Sequence, residues 1–175
     1  MNTALMFSSK YDCWATPWEF FRKLNDKWNF NIDVCAGREN TKCPIWFDEE
    51  KNSLLVDWHE MGVTHLMKSP ICYMNPPYGR QIGNWIKKAY DESMKGCTVV
   101  CLLPARTDTK WFHDYCIQGD IEFIKGRLAF GTEDYWKWVW EQEYINGQKN
   151  SLYQKYGKKN PAPFPSMIVT FKPGN

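Results

Sequence analysis

Apolar residues recur at helical spacing near the start of the chain. They follow Thr16, Pro17 and Glu19, which can serve as the N-cap, the first helical residue and the closing residue of a capping box. The apolar positions are Phe21, Leu24 and Trp28. Because three positions on one face repeat with this spacing, we expect a helix that ends near Trp28.

Short apolar runs bounded by turn residues predict strands along the rest of the chain. The predicted strands cover residues 30–34, 45–47, 71–74, 98–103 and 166–171, and residues 53–57 read as a strand or a turn. Two further helices are predicted, over about 82–94 with Gly96 as the stop and from Thr107 or Asp108 to about Tyr115. Residues 121–124 and 127–130 flank Lys125-Gly126 and predict a hairpin.

Strands that alternate with helices predict a three-layer α/β domain with a mostly parallel sheet and an antiparallel terminal hairpin. Ligands bind at the carboxyl ends of strands in such sheets, and here turns follow Val34 and Met74. We expect a single domain over residues 1–175, because no linker or internal repeat interrupts the pattern. Residues 131–160 are rich in aromatic residues and Lys and read as an insertion.

Composition places the chain among globular proteins, since 43% of its 175 residues are hydrophobic and 24% are charged. The net charge of +2 conceals an asymmetry. Five Lys and no acidic residue follow Glu143, which leaves about −3 for the preceding part. The basic section fits either contact with a polyanion or a solubilising Lys run. The aromatic content of 17%, with 10 Trp, indicates that some rings contact ligands or partners.

Cysteine and histidine spacing gives no sign of a metal site. The seven Cys include no CxxC pair, and the three His form no paired spacing with them. Several Cys lie in apolar runs, as buried reduced thiols do in cytosolic proteins. The chain also has no apolar run long enough to span a membrane and no signal peptide, so we expect a cytoplasmic protein without a metal.

Asn75-Pro76-Pro77-Tyr78 follows a predicted buried strand and suits the binding of an exocyclic amino group. The Asn75 side-chain oxygen can accept one N–H, and the Pro76 carbonyl, held extended by Pro77, can accept the other. Two acceptors orient the nitrogen lone pair and stabilise its developing charge, while Tyr78 offers a flat face for stacking. A proline-rich turn that only caps the strand is the alternative.

This tetrapeptide is the signature of amino-methyltransferases, and the chain resembles the phage-encoded Dam-type DNA N6-adenine methyltransferase family over nearly its full length. The resemblance implies a Rossmann-like fold, S-adenosylmethionine as cofactor, and direct in-line transfer of a methyl group to a flipped adenine. Its motifs are Trp14-Ala15-Thr16-Pro17 with Phe20, Asp33-Val34-Cys35-Ala36, Ser53-Leu54 with Asp57-Trp58, Asn75-Pro76-Pro77-Tyr78-Gly79, residues 102–109 with Trp111-Phe112, Gly126-Arg127-Leu128 with Phe130, and residues 162–166.

The resemblance also assigns cofactor contacts. It implies that Asp33 faces the methionine part of the cofactor, although the usual Phe-x-Gly-x-Gly is absent and only Ala36 and Gly37 are small. Asp48, or its neighbours Glu49 and Glu50, would meet the ribose. The full set of expected cofactor-binding residues is Thr16, Pro17, Asp33, Cys35, Ala36, Asp48, Asp57 and Asn75, and the expected catalytic residues are Asn75, Pro76, Pro77 and Tyr78.

DNA is the expected partner, and a homodimer is a further option. Arg106 and Arg127 lie next to strand ends and are candidates for phosphate contacts, with a structural salt bridge as the alternative for each. The insertion supplies the other expected DNA-binding residues, Trp136, Lys149, Lys155, Lys158 and Lys159. A phage-encoded enzyme of this kind would act in the cytoplasm of the bacterial host.

Two alternatives remain at this point. The same chemistry could act on cytosine N4, an RNA adenine or a protein glutamine, although Asn at the first position of the tetrapeptide fits adenine or glutamine better than cytosine. The chain could instead be a non-catalytic DNA-binding module that keeps the fold. An intact Asn-Pro-Pro-Tyr argues against the second alternative, because binding alone does not require paired acceptors at a strand end.

Overall fold

The computed structural model of the chain describes residues 14–37, 40–48, 50–66, 68–130 and 161–174. Within these ranges the chain forms four α-helices, six strands and a short 3-10 turn at Cys116–Gln118. In chain order the helices and strands are α1 (Trp18–Trp28), β1 (Ile32–Asp33), β2 (Ile45–Trp46), α2 (Trp58–Leu66), β3 (Ile71–Met74), α3 (Ile82–Lys95), β4 (Thr98–Pro104), α4 (Lys110–Asp114), β5 (Asp120–Phe123) and β6 (Ser166–Phe171).

The six strands form one mixed sheet in the order β2-β1-β3-β4-β6-β5. Each neighbouring pair from β2 to β4 is parallel, and β6 runs antiparallel to both β4 and β5. The predicted α/β class is therefore confirmed, and the sheet is mixed, with three parallel and two antiparallel pairs. The predicted insertion at 131–160 lies outside the described residues.

The core lies along the middle of the sheet. All six residues of β6 are buried, as are six of the seven in β4. A strand covered on both faces reads as a continuous apolar run, which is why the sequence identifies both strands. Helix α3 turns Ile82, Ile86 and Ala89 into this core at helical spacing, and Gly96 ends it with a φ of 124°.

The strand order of the sheet reverses between β1 and β3. From β1 the chain crosses to β2 on one side, whereas from β3 it crosses to β4 on the other. Such a switch point leaves a crevice outside the carboxyl ends of the two strands. Asp33, the last residue of β1, is paired with Tyr73 of β3, so the residues that follow both strands reach the same crevice.

Several local predictions are wrong. Residues 121–124 do not form a hairpin with 127–130, because residues 127–130 form no strand and β5 pairs with β6 instead. Residues 50–56 are turns and bends, in agreement with the turn alternative for 53–57, but the sequence did not lead us to predict α2. Asp57 and Glu60 have the spacing of a helix N-terminus and could have predicted α2. The Asp57 carboxylate accepts the Glu60 N–H at 2.8 Å, as at a helix N-cap.

The capping box predicted for α1 is also wrong. Pro17 is the N-cap, α1 begins at Trp18, and no side chain caps its first turn. Glu19 instead pairs with Lys23 at 3.2 Å on the exposed face. The Thr16 hydroxyl points into the protein, where two other polar groups contact it.

Candidate active site

Asn75 follows β3 directly and has its amide group held in one orientation. Its Nδ2 donates to the Trp14 carbonyl and, at 2.9 Å, to the Thr16 hydroxyl. A main-chain carbonyl can only accept, so the amide cannot be reversed without placing two acceptors together. Its Oδ1 is therefore directed away from these partners, buried and without a hydrogen bond from the described residues. A buried acceptor without a donor costs about 1–3 kcal/mol, so this oxygen is ready to accept an incoming N–H.

Thr16 links Asn75 to the sheet. Its hydroxyl lies 2.6 Å from the Tyr73 hydroxyl, and Thr16 and Tyr73 are 2% and 1% exposed. Tyr73 is held in turn by Phe21 of α1, with ring centroids 5.0 Å apart. Burial raises the pKa of Tyr73 well above its usual value, so the phenol stays protonated. The orientation of Asn75 thus depends on a chain of contacts from α1 through Tyr73 and Thr16.

Asp33 organises the loop that follows β1. One carboxylate oxygen accepts the Cys35 N–H at 3.4 Å and the other accepts the Lys42 N–H at 3.1 Å, so both ends of the loop are tied to one side chain. Asp33 is 4% exposed. Burial raises the pKa of Asp33 to about 6, although the hydrogen bond from Lys42 and its positive charge oppose the shift. The carboxylate is thus predominantly ionised at pH 7 but close to its titration range.

A cleft lies at the switch point and contains about 260 Å³ of empty volume, part of it open to solvent. Its walls come from the segment before α1, the end of β1 with its loop, and the end of β3. The lining residues are Ala15, Thr16, Asp33, Cys35, Ala36, Asn40, Lys42, Tyr73 and Asn75.

The cleft brings together five of the residues predicted to bind the cofactor. These are Thr16, Asp33, Cys35, Ala36 and Asn75. Sequence reasoning missed Ala15, Asn40, Lys42 and Tyr73. Tyr73 could have been found, because it lies two residues before Asn75 on an extended chain and therefore shares its side of the sheet.

Three other predicted cofactor contacts do not line this cleft. Pro17 caps α1. Asp48 accepts the Lys51 N–H at 3.0 Å in the turn after β2. Asp57 caps α2 with one oxygen and binds Lys95 at 2.8 Å with the other. Both Asp57 oxygens are thus engaged, and its contact with the cofactor stays a prediction.

Tyr78 packs into an aromatic cluster instead of facing the cleft. Its hydroxyl donates to the Leu102 carbonyl at 3.0 Å, and its ring makes edge contacts with Phe130 and Phe164 at centroid distances of 6.1 and 5.6 Å. Trp14 makes edge contacts with the same two phenylalanines. Tyr78 is 5% exposed, so in this conformation no ring face is open to a base. Stacking on Tyr78 requires Phe130 or Phe164 to move.

The two predicted phosphate-binding arginines are exposed. Arg106 follows β4 and Arg127 lies in the segment after β5, so both extend from the carboxyl edge of the sheet. Neither forms an ion pair with a described residue. The salt-bridge alternative therefore has no support within the described ranges. Trp136, Lys149, Lys155, Lys158 and Lys159 lie outside these ranges.

The described residues contain neither a candidate membrane span nor a candidate metal cluster. None of the helices in these ranges is both long and apolar enough to cross a bilayer. The same ranges contain no group of three or more His, Cys, Asp or Glu arranged to hold a metal ion.

Comparison with known proteins gives two kinds of match. Residues 4–173 match the family model described as DNA N-6-adenine-methyltransferase (Dam). The DNA N-6-adenine-methyltransferase of Haemophilus phage HP1 (strain HP1c1) is 33% identical over 170 residues, which cover 94% of this chain and 81% of the relative. The DNA N-6-adenine-methyltransferase of Escherichia phage T1 is 30% identical over 102 residues, or 58% of this chain and 39% of that protein.

Proposed function

The chain belongs to the DNA N-6-adenine-methyltransferase (Dam) family, and we propose that it uses S-adenosylmethionine to methylate the N6 amino group of adenine in DNA. Family membership identifies the chain as an enzyme of DNA adenine methylation. The donor, the site residues and their roles are the parts of this statement that we propose. The observation that carries them is the buried, unpartnered Oδ1 of Asn75 beside a cleft that contains Asp33.

The cleft residues fit such a cofactor. Asp33 is a buried carboxylate that can bind the ammonium of the methionine part, and the small side chains of Cys35 and Ala36 leave room beside it. Thr16 also lines the cleft. S-adenosylmethionine, when bound, supplies a methyl group attached to a positively charged sulfur. The order of strands and the switch point between β1 and β3 support the Rossmann-like form of the fold.

Asn75 orients the amino group that is to be methylated. Its Oδ1 accepts one N–H of the amino group, and the Pro76 carbonyl, which accepts no hydrogen bond from a described residue, accepts the other. The two acceptors draw the nitrogen lone pair out of conjugation with the ring and stabilise the positive charge that develops on nitrogen. Adenine must flip out of the DNA duplex to reach the two acceptors, since its amino group is base-paired in duplex DNA.

DNA contacts are proposed at the carboxyl edge of the sheet. Arg106 and Arg127 are exposed there without a described ion-pair partner, which favours phosphate contacts. The aromatic and basic residues of 131–160 extend this proposal from composition alone. The phage relatives support action on DNA in the cytoplasm of a bacterial host.

The deciding experiment identifies the methylated product. Purified protein is incubated with tritiated S-adenosylmethionine and unmethylated DNA, RNA or protein, and the labelled nucleoside or amino acid is identified after digestion. We expect the label in N6-methyladenine from DNA. Label only in N4-methylcytosine, RNA or glutamine would contradict the proposal, and protein that binds DNA without transferring label would favour the binding-module alternative. Repeating the DNA-binding measurement with increasing salt tests the phosphate contacts, because replacing Arg106 and Arg127 by Gln should lower the salt slope by about 2.

A matched pair of variants tests the role of Asn75. Asn75→Ala should abolish transfer and leave cofactor affinity nearly unchanged, because it removes the acceptor for the target amino group. Asn84→Ala removes an exposed amide from α3 and should leave transfer unchanged. Transfer that survives in Asn75→Ala would remove the proposed role.

A further inference from the structure

Two opposite charges line the cleft without touching. Asp33 is buried at the end of β1, and Lys42 lies half-buried at the far end of the loop that Asp33 ties down. Both residues line the cleft, yet the described residues include no ion pair between them at 4.0 Å or less. Burial lowers the pKa of Lys42, and the Asp33 charge opposes that shift. The two charges therefore interact electrostatically without forming an ion pair.

The Lys42 ammonium has few hydrogen-bond partners. Its Nζ donates to the Asn40 carbonyl at 3.3 Å, and it lies 4.7 Å from the ring centroid of Trp18. An ammonium group has three donors, and among the described residues this one carbonyl is its only hydrogen-bond acceptor. Because a partly desolvated charge without an opposite partner is unfavourable, an anion that enters the cleft gains a strong contact here.

We propose that Lys42 binds the carboxylate of the methionine part of the cofactor, while Asp33 binds its ammonium. The inference rests on the proposed function, because it assumes that the cleft holds the amino-acid end of S-adenosylmethionine. An α-amino acid carries one positive and one negative group on the same carbon, and Asp33 and Lys42, which both line the cleft, are the complementary pair. Trp18 acts as a positioning residue that keeps the ammonium at the cleft by its cation–π contact.

This arrangement makes Lys42 a determinant of specificity. A ligand that keeps the adenosyl group and the ammonium but lacks the carboxylate leaves Lys42 unpaired. Such a ligand should bind about 10- to 100-fold more weakly than the complete one, as expected for the loss of a hydrogen bond between charged groups.

The test compares the affinities of ligands with and without the carboxylate, in the original protein and in its lysine variants. Equilibrium dissociation constants are measured for S-adenosylhomocysteine, its analogue without the carboxylate, and 5′-methylthioadenosine, which lacks the whole amino-acid part. In the original protein we expect the 10- to 100-fold preference for the complete ligand. In Lys42→Met the preference for the ligand with the carboxylate should disappear, because only that ligand loses affinity. Lys51→Met, which removes a lysine from the turn after β2, should keep the preference.

Each outcome separates the inference from the proposed function. If Lys42→Met keeps the preference, Lys42 does not bind the carboxylate and the inference is overturned. If the original protein binds none of the three ligands, the proposed cofactor is wrong. Lys42→Arg controls for folding: it retains the charge and should restore most of the preference, and a fully folded Lys42→Arg protein without any preference for the carboxylate would also overturn the inference.

Discussion

Lowering the pH from 7 to 5 should weaken the binding of S-adenosylhomocysteine about tenfold, because only the ionised form of Asp33 attracts the ligand ammonium. Burial raises the pKa of Asp33 to about 6. With this pKa, about 90% of the carboxylate is ionised at pH 7 and about 9% at pH 5. The ligand itself keeps its charges over this range, since an α-amino group titrates near 8 and an α-carboxyl group near 3.5. The ratio of ionised fractions gives the expected loss of affinity.

The groups around Asp33 do not obscure this titration. Lys42, Cys43 and Tyr73 interact electrostatically with it. Burial raises the pKa of both Cys43 and Tyr73 above their usual values, so neither ionises between pH 5 and 7. Lys42 has a pKa lowered by burial, and any titration of its ammonium would persist when Asp33 is replaced.

Isothermal titration calorimetry at several pH values measures the effect, with Asp33→Asn as the control. The variant should bind at pH 7 no better than the original protein binds at pH 5, and its affinity should not change with pH. A flat profile for the original protein would refute the reasoning. So would an equal slope in both proteins, because the titrating group would then be a different one.

The same pKa shift has the opposite effect on folding stability. Folded Asp33 holds its proton with a pKa of about 6, whereas the unfolded chain has the ordinary value of 3.8, so acidification favours the folded state. Between pH 7 and pH 5 this group should add about 1 kcal/mol to the free energy of unfolding. Urea unfolding of the original protein and of Asp33→Asn at both pH values measures this difference. Weaker binding together with a more stable fold distinguishes Asp33 titration from acid-induced unfolding.

The remaining predictions concern the support of the fold. Glu92→Ala should lower the free energy of unfolding by about 3–5 kcal/mol, since Glu92 is 0% exposed and binds two lysines and a main-chain N–H. Asp91→Ala, which breaks an exposed ion pair, should lower it by less than about 1 kcal/mol in the same urea titration. Gly96→Ala should cost at least about 1 kcal/mol more than Gly126→Ala: both have positive φ, but only at position 96 would the new Cβ meet the His59 ring, at 2.9 Å. Equal stability losses in either pair would contradict the assigned contacts.

Much of the fold followed from local patterns. The bounds of β3 and β6 and the position of α3 were predicted closely, because each buries a continuous or helical apolar pattern and is bounded by turn residues. The predicted hairpin failed for the opposite reason. An exposed strand such as β5 contains no local information about its partner, and that partner lies about forty residues later along the chain.

The candidate site divides in the same way. Asn75 could be identified as a candidate from its own tetrapeptide, since the two proposed acceptors belong to consecutive residues, Asn75 and Pro76. Lys42 could not, because nothing in its neighbourhood along the chain distinguishes it from any surface lysine. Only the hydrogen bonds from both ends of the loop to Asp33 bring it into the cleft.

The sequence by itself therefore determined the family and the class of fold and led to the proposed acceptor of the target amino group, because these depend on residues adjacent in the chain or repeated with a regular period. The tertiary structure decided which way the Asn75 amide points, that Tyr78 is buried and contacts two phenylalanines, and that Asp33 and Lys42 line one cleft without forming an ion pair. These properties depend on contacts between segments that are far apart in sequence, where the partner, the distance and the degree of burial are set only when the sheet assembles.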